Sequence, residues 1–88
     1  MPTLSMFYGI IISMYWESDT QHHVPHFHAR YGENKAVFNM NGEIIAGSFP
    51  MAQEAYVKAW ALIHHDELLA DWELASNHEQ LFKIEPLR

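Results

Sequence analysis

Between Pro25 and Pro50 the chain alternates apolar and polar side chains three times, and each interruption of the alternation is a turn signal. Alternation with a period of two sends successive side chains to opposite faces of a strand. Residues 26–31, 35–40 and 43–48 are therefore expected as strands. The stronger signal is Asn41-Gly42, because both central positions of a type I′ hairpin turn need a positive φ that Asn and Gly tolerate. Gly32, Glu33 and Asn34 make the other turn, and connections this short allow only antiparallel neighbours. Pro25 fixes its own φ and biases Val24 toward extended backbone, which places the first of these strands just after it. Pairing across Asn41-Gly42 sets Phe38 against Ile45 and Val37 against Ala46. If the first turn keeps parity, Phe27, Tyr31, Phe38, Met40 and Ile45 share the core face.

Two further regions complete the reading. From Met6 to Trp16, the set Tyr8, Ile10, Ile12, Met14 and Trp16 is uniformly apolar. This predicts one strand over residues 6–16, and the mixed set Phe7, Gly9, Ile11, Ser13 and Tyr15 points to a central strand or to one whose second face meets another chain. After Pro50, with Ser48 nearby as a candidate cap, helix-forming residues run to about 76. Ala52, Ala55, Tyr56, Ala59, Leu62 and Ile63 lie on one stripe at helical spacing, but the same phase would bring Asp66 and Glu73 into the stripe while Leu68 and Trp72 point away. A kink or a split near 64–66 is expected, with Asp66 as the cap of a second helix if the chain breaks there. Residues 77–80 close the helical region, and a short edge strand is possible near 81–85, stopped by Pro86. The predicted fold class is α+β: an antiparallel sheet of three to four strands packed against a helical C-terminal half.

Eighty-eight residues, 49% of them hydrophobic, support one compact domain spanning 1–88. Eleven acids against five bases give a formal charge of −6, which disfavours non-specific adhesion to nucleic acid or anionic membrane. Direct DNA binding and membrane association are therefore not expected. Cysteine is absent, which removes disulfides, thiolate metal sites and a cysteine nucleophile, and fits a cytoplasmic setting. The first basic side chain, Arg30, falls well after the apolar run, so no secretory signal is expected.

Histidine is the compositional outlier, with seven residues, four of them between His22 and His28. His26 and His28 project from one face of the expected strand and are candidate ligands for a divalent metal, a third ligand being sought among His22, His23, Glu33 and Glu43. The same two rings, with Arg30 and Lys35, also form a cationic row on an otherwise acidic chain. Such a row suits a phosphate or carboxylate, which Arg30 can hold through two parallel hydrogen bonds. On this reading His26, His28 and Arg30 are candidate catalytic residues, one histidine acting as general acid or base, with Lys35, Tyr31 and Glu33 as ligand-binding candidates. The plainer alternative is a surface strand that happens to present polar side chains, and strand parity places Tyr31 on the opposite, core side. His64-His65-Asp66 reads as a structural cluster, because histidine near a helix end is favoured by the dipole. The acids from Glu54 to Glu79 mostly read as a solvated face. No motif identifies a cofactor.

Laid out this way, the chain resembles the DUF4160 family of small bacterial proteins. The likeness rests on Pro2-Thr3, Met6-Phe7-Tyr8-Gly9-Ile10, Pro25-His26-Phe27-His28-Ala29 with Tyr31-Gly32-Glu33, and Ala36. Gly42-Glu43, the Trp60 and His64 spacing, Glu67-Leu68, Trp72 and Ile84-Glu85-Pro86-Leu87 extend it, while Gln21-His22-His23-Val24 departs from the pattern. The resemblance implies a component of a two-gene module of the toxin–antitoxin or phage-defence type, here the toxin. Its implied partner is a small helix-turn-helix protein or another cognate antitoxin-like protein. The alternative is a non-catalytic protein-binding or dimerisation module, antitoxin or regulator partner, whose mixed first strand and exposed Val37 and Ile44 dock onto a partner or a second copy, with His26 and His28 as candidate metal ligands.

Overall fold

The structure is a computed structural model that describes residues 2–16 and 24–88. Five strands, β1 (Thr3–Phe7), β2 (Ile10–Ser13), β3 (His26–Tyr31), β4 (Asn34–Asn39) and β5 (Ile44–Gly47), form one antiparallel sheet in the order β1-β2-β3-β4-β5. Two helices follow, α1 (Met51–Ile63) and α2 (His65–Ser76). The α+β class is as expected, with one strand more than the three to four read from the sequence.

The extra strand comes from residues 6–16, which are not one strand. The chain reverses at Tyr8-Gly9, where both residues take positive φ (50° and 79°), as a type I′ turn requires. Tyrosine is unusual there, and its ring is held against Tyr56 of α1 at 5.2 Å between centroids. Ile10, Ile12 and Met14 are fully buried as the alternation predicts, whereas Tyr8 sits on the turn and Trp16 lies beyond the strand, both exposed.

The β3–β4 turn keeps parity: Phe27 pairs with Phe38 and Ala29 with Ala36 across the two strands. The Asn41-Gly42 hairpin departs from the two-residue form. The Gly42 amide donates to the Asn39 carbonyl at 3.0 Å and the Asn39 amide to the Glu43 carbonyl at 2.8 Å, giving a three-residue loop with Gly42 at φ 79°. The Asn39 side-chain oxygen accepts from the Asn41 and Glu43 amides and stabilises this longer loop. The resulting bulge pairs Phe38 with Ile44 instead of Ile45, so Ile45 faces solvent while Val37 still pairs with Ala46.

One face of the sheet is covered by the helices. Trp60 of α1 is fully buried and tilts over Phe7 (5.5 Å) and Phe27 (5.7 Å), beside Val57, Ala61 and Leu68. The buried face of α1 is therefore Val57, Trp60 and Ala61, and the predicted stripe of Ala52, Ala55, Tyr56, Ala59, Leu62 and Ile63 is exposed instead. Volume decides this. Three alanines on a stripe leave the space above Phe7 and Phe27 unfilled, and an indole fills it. Pro50 occupies the position before the first helical residue, and no side chain, Ser48 included, caps α1.

The helical segment splits at His64 (φ −107°, ψ 27°), which ends α1 and precedes α2, so Asp66 lies inside the first turn and is not the cap. The His64 ring meets the Glu67 carboxylate at 2.6 Å. At the other end of α2, His78 takes a positive φ, and the His78 and Glu79 amides donate to the carbonyls of Ala75 and Leu74, which closes the helix. Residues 81–85 make no strand. The Ile84 amide bonds the Leu4 carbonyl at the sheet edge (2.8 Å), and the Trp60 indole N–H donates to the Glu85 carbonyl (2.8 Å).

Asp71 departs from the solvated acidic face. It is 2% exposed, one carboxylate oxygen accepts from the Phe82 amide at 2.9 Å, and the other has no partner among the described residues. Burial pushes its pKa above the ordinary 3.8; the Phe82 hydrogen bond opposes this and the nearby Glu67 charge adds to it. A raised folded-state pKa means that the stabilising protonated form is fully present below the unfolded value and is lost as pH rises through the folded one. Asp71→Asn keeps the acceptor for Phe82 and carries no charge, so its urea midpoint at pH 7 should exceed that of the natural chain, with the difference shrinking as pH falls toward 4. At Gly42 a Cβ would stand 2.6 Å from Lys58 Cα on backbone at φ 79°. Gly42→Ala should lower stability by about 1–3 kcal/mol in the same measurement.

Candidate functional site

Among the described residues, no helix lies over the centre of the opposite face of the sheet. Strand pairing assembles it: Ile11 lies against Arg30, Ser13 against His28, His28 against Val37, and Arg30 against Lys35. These residues, with Thr3, Ala46 and Gly47, line an open groove of about 500 Å³. That volume is in the range of small-molecule sites. The groove floor is short and largely apolar, and Arg30 and Lys35 stand exposed at one side of it.

The candidate residues do not all arrive here. His28, Arg30 and Lys35 converge on the groove. His26 shares their face of β3 but is only 4% exposed: its ring packs on Trp72 of α2 (4.9 Å) and edge-on against His28 (5.4 Å). The Nδ1–H of His26 donates to the Val24 carbonyl at 2.8 Å. Tyr31 faces the core side, against Phe49, as parity predicts, and Glu33 is exposed in the β3–β4 turn; neither lines the groove. His26 thus acts as a packed element at the end of β3, and the open histidine–arginine row shortens to His28 and Arg30 with Lys35 beside them.

Three features of the site lie outside the motif reading. Tyr15 stacks on the His28 ring with centroids 4.6 Å apart and planes 15° from parallel. Trp16 meets Trp72 at 5.2 Å, so Tyr15, His28, His26, Trp72 and Trp16 form a continuous row of rings that reaches the groove at His28. Ser13 and Thr3 bring hydroxyl groups to the lining. The parity of β2 signals Ile11, Ser13 and Tyr15 in the sequence, whereas the meeting of Trp16 with Trp72 depends on the path of α2.

Electrostatically, Arg30 and Lys35 are directly opposed cross-strand neighbours. Like charges in that position destabilise a sheet, and on a chain of net charge −6 they concentrate positive potential at one spot. The pair suits an anion, with a planar fork from Arg30 and a point charge from Lys35. For a metal, His26 and His28 stand adjacent, but among the described residues no group of three His, Asp or Glu side chains converges. His22 and His23, named above as further ligands, lie outside the described residues.

The order of these features along the chain, from Gly9 through the His26-Phe27-His28 strand to Trp72, corresponds to a family match. The domain of unknown function DUF4160 matches residues 9–73, most of the chain. The chain belongs to the DUF4160 family. No curated protein and no solved structure matches it. The matched span includes every groove-lining residue except Thr3, and it ends before the C-terminal segment that meets Asp71 and Trp60 in this DUF4160 member. No helix among the described residues is long and apolar enough to cross a membrane.

The packing separates two kinds of histidine and cation. His26→Ala should lower stability by about 1–3 kcal/mol, because it removes a buried ring and its hydrogen bond to Val24. Arg30→Ala and Lys35→Ala should leave the thermal midpoint unchanged or slightly higher, since each relieves the like-charge contact. Calorimetry on the three variants would distinguish a structural residue from two that the fold does not need.

Proposed function

We propose that the open sheet face of this protein binds a phosphate-bearing ligand, and that this site is the effector surface of the toxin in a two-gene toxin–antitoxin or phage-defence module. The observation that carries the binding half is the direct opposition of Arg30 and Lys35 on the groove rim, two exposed cations held side by side. An anion between them converts a repulsive contact into a bridged one. His28, half-buried and held flat against Tyr15, supplies an oriented imidazole at the same groove for proton transfer to or from the bound group. Ser13 and Thr3 offer further hydroxyl donors. The module half rests on the family likeness, which implies a cognate antitoxin-like partner, a helix-turn-helix protein among the candidates. The largely apolar floor between the cationic pair and His28, formed by Ile11, Val37 and Ala46, favours a ligand with an apolar or planar group next to its phosphate, such as a nucleotide, over inorganic phosphate alone.

A titration of nucleoside monophosphate and of inorganic phosphate into isotope-labelled protein tests the site. Amide and ring shifts are expected at Ser13, His28, Arg30, Lys35 and Val37, stronger for the nucleotide and weakened by salt. Arg30→Ala with Lys35→Ala should abolish them. In cells, induced expression of the chain without its neighbouring gene should arrest growth, and the double variant should not, at equal soluble levels. His28→Gln that keeps the ligand shifts yet loses arrest would assign chemistry to the imidazole. Absence of shifts at millimolar ligand would end the proposal.

A further inference from the structure

Outside the groove, the largest unexplained feature is the outer surface of α1. Ala52, Ala55, Tyr56, Ala59, Leu62 and Ile63 all face solvent, Ile63 at 67% and Leu62 at 54% exposure. Met51 extends the stripe at the start of the helix (86%), and Tyr8, at 57%, joins it by packing on Tyr56. The spacing of 52, 55, 59 and 62 alternates threes and fours, the pattern of a helix that packs along another helix. Lys58 is the charged residue within it.

We propose that this stripe is the interface of a two-fold symmetric homodimer in which α1 of one copy lies antiparallel on α1 of the other. The surface pairs with itself. With the symmetry axis passing at the level of Val57, Ile63 of one copy opposes Met51 of the second, Leu62 opposes Ala52, and Ala59 opposes Ala55. Leu62 thereby meets the small Ala52, the central alanines meet one another and Ile63 meets Met51 at either end, while Lys58 and Tyr56 lie on opposite edges of the stripe. Ala52, Ala55 and Ala59 allow the axes to approach to about 8 Å. The two helix dipoles run antiparallel.

Area supports a second copy as the occupant. At about 150–250 Å² for a large side chain, the five exposed large residues present on the order of 500 Å². That is at the upper end of what a monomer leaves in one apolar patch. With the three alanines and a rim, it approaches the roughly 800 Å² per partner of a standard interface. An anionic membrane surface is disfavoured by the net charge of −6 and a stripe that carries one lysine. Because α1 covers the core face of the sheet, the pairing leaves both grooves open on the outside of the dimer, so it stands independently of the ligand site.

Sedimentation equilibrium of the untagged full chain over a range of micromolar concentrations should return twice the 10.3 kDa chain mass, dissociating on dilution. Ala59→Glu should weaken association about ten-fold or more by burying two unpaired carboxylates at the axis. Leu62→Glu should do the same. Met6→Gln, on the other face of the sheet, should have no effect. Both stripe positions are exposed, so circular dichroism should report an unchanged fold. A natural chain that remains monomeric at the highest concentration overturns the proposal, as does an Ala59→Glu chain that is folded and still dimeric. A stripe that captures only a different protein or a lipid vesicle while the chain stays monomeric overturns it equally.

Discussion

The burial of one indole organises this fold. Trp60 lies over Phe7 and Phe27, which ties α1 to β1 and β3, and its N–H is satisfied by the Glu85 carbonyl, which draws the C-terminal segment across the helices. A small domain has few residues with which to fill the space between a twisted sheet and a helix, so the placement of its largest side chain governs the rest. Helix phase follows from it: once Trp60 points inward, Val57 and Ala61 go with it and the alanine-rich stripe must face out. The break at His64 lets α2 turn its own buried side, Leu68, Asp71 and Ala75, toward the same core.

The described helices cover one face of the sheet, and the groove lies on the other. Its chemistry is set by strand register more than by any local motif. Arg30 meets Lys35, and His28 meets Ser13 and Val37, because β3 pairs β2 and β4 without a slip. A one-residue shift would move these groups into the core and bring Phe27 out. The same logic divides the two histidines. At the end of β3, where α2 reaches the sheet, His26 is covered by Trp72; two residues along, His28 stays at the groove. Identical side chains on one face thus hold different roles, one supporting the wall and one lining the site.

Much of this was legible in advance. The alternation at 26–31 and 35–40 placed Phe27, Phe38 and Ala36 inside and His28, Arg30 and Lys35 outside, and the buried Ile10, Ile12 and Met14 followed from the same period. The errors have local and non-local causes. A tyrosine rarely takes a positive φ, which hides the Tyr8-Gly9 reversal in the sequence; in the fold its ring packs on Tyr56 and edge-on against Phe7. Ile45 was placed inward because the Asn39 side chain, which supports a longer loop, is not part of the Asn-Gly signal. The α1 stripe was assigned by counting apolar positions, although residue volume, not number, decides which face fills a core.

By itself the sequence determined the alternation of β2, β3 and β4, the sites of the later turns, the start of α1 and the presence of a cation-bearing strand in an acidic chain. These are short-range properties, set by side-chain alternation and backbone preference within a few residues. The tertiary structure alone decided which side of α1 is buried, that His26 lies beneath Trp72, that Asp71 is enclosed with the Phe82 amide, and that Arg30 and Lys35 edge a groove whose His28 ring is stacked by Tyr15. Each of those outcomes depends on groups distant in the chain competing for the same space, and no local pattern encodes which of them wins.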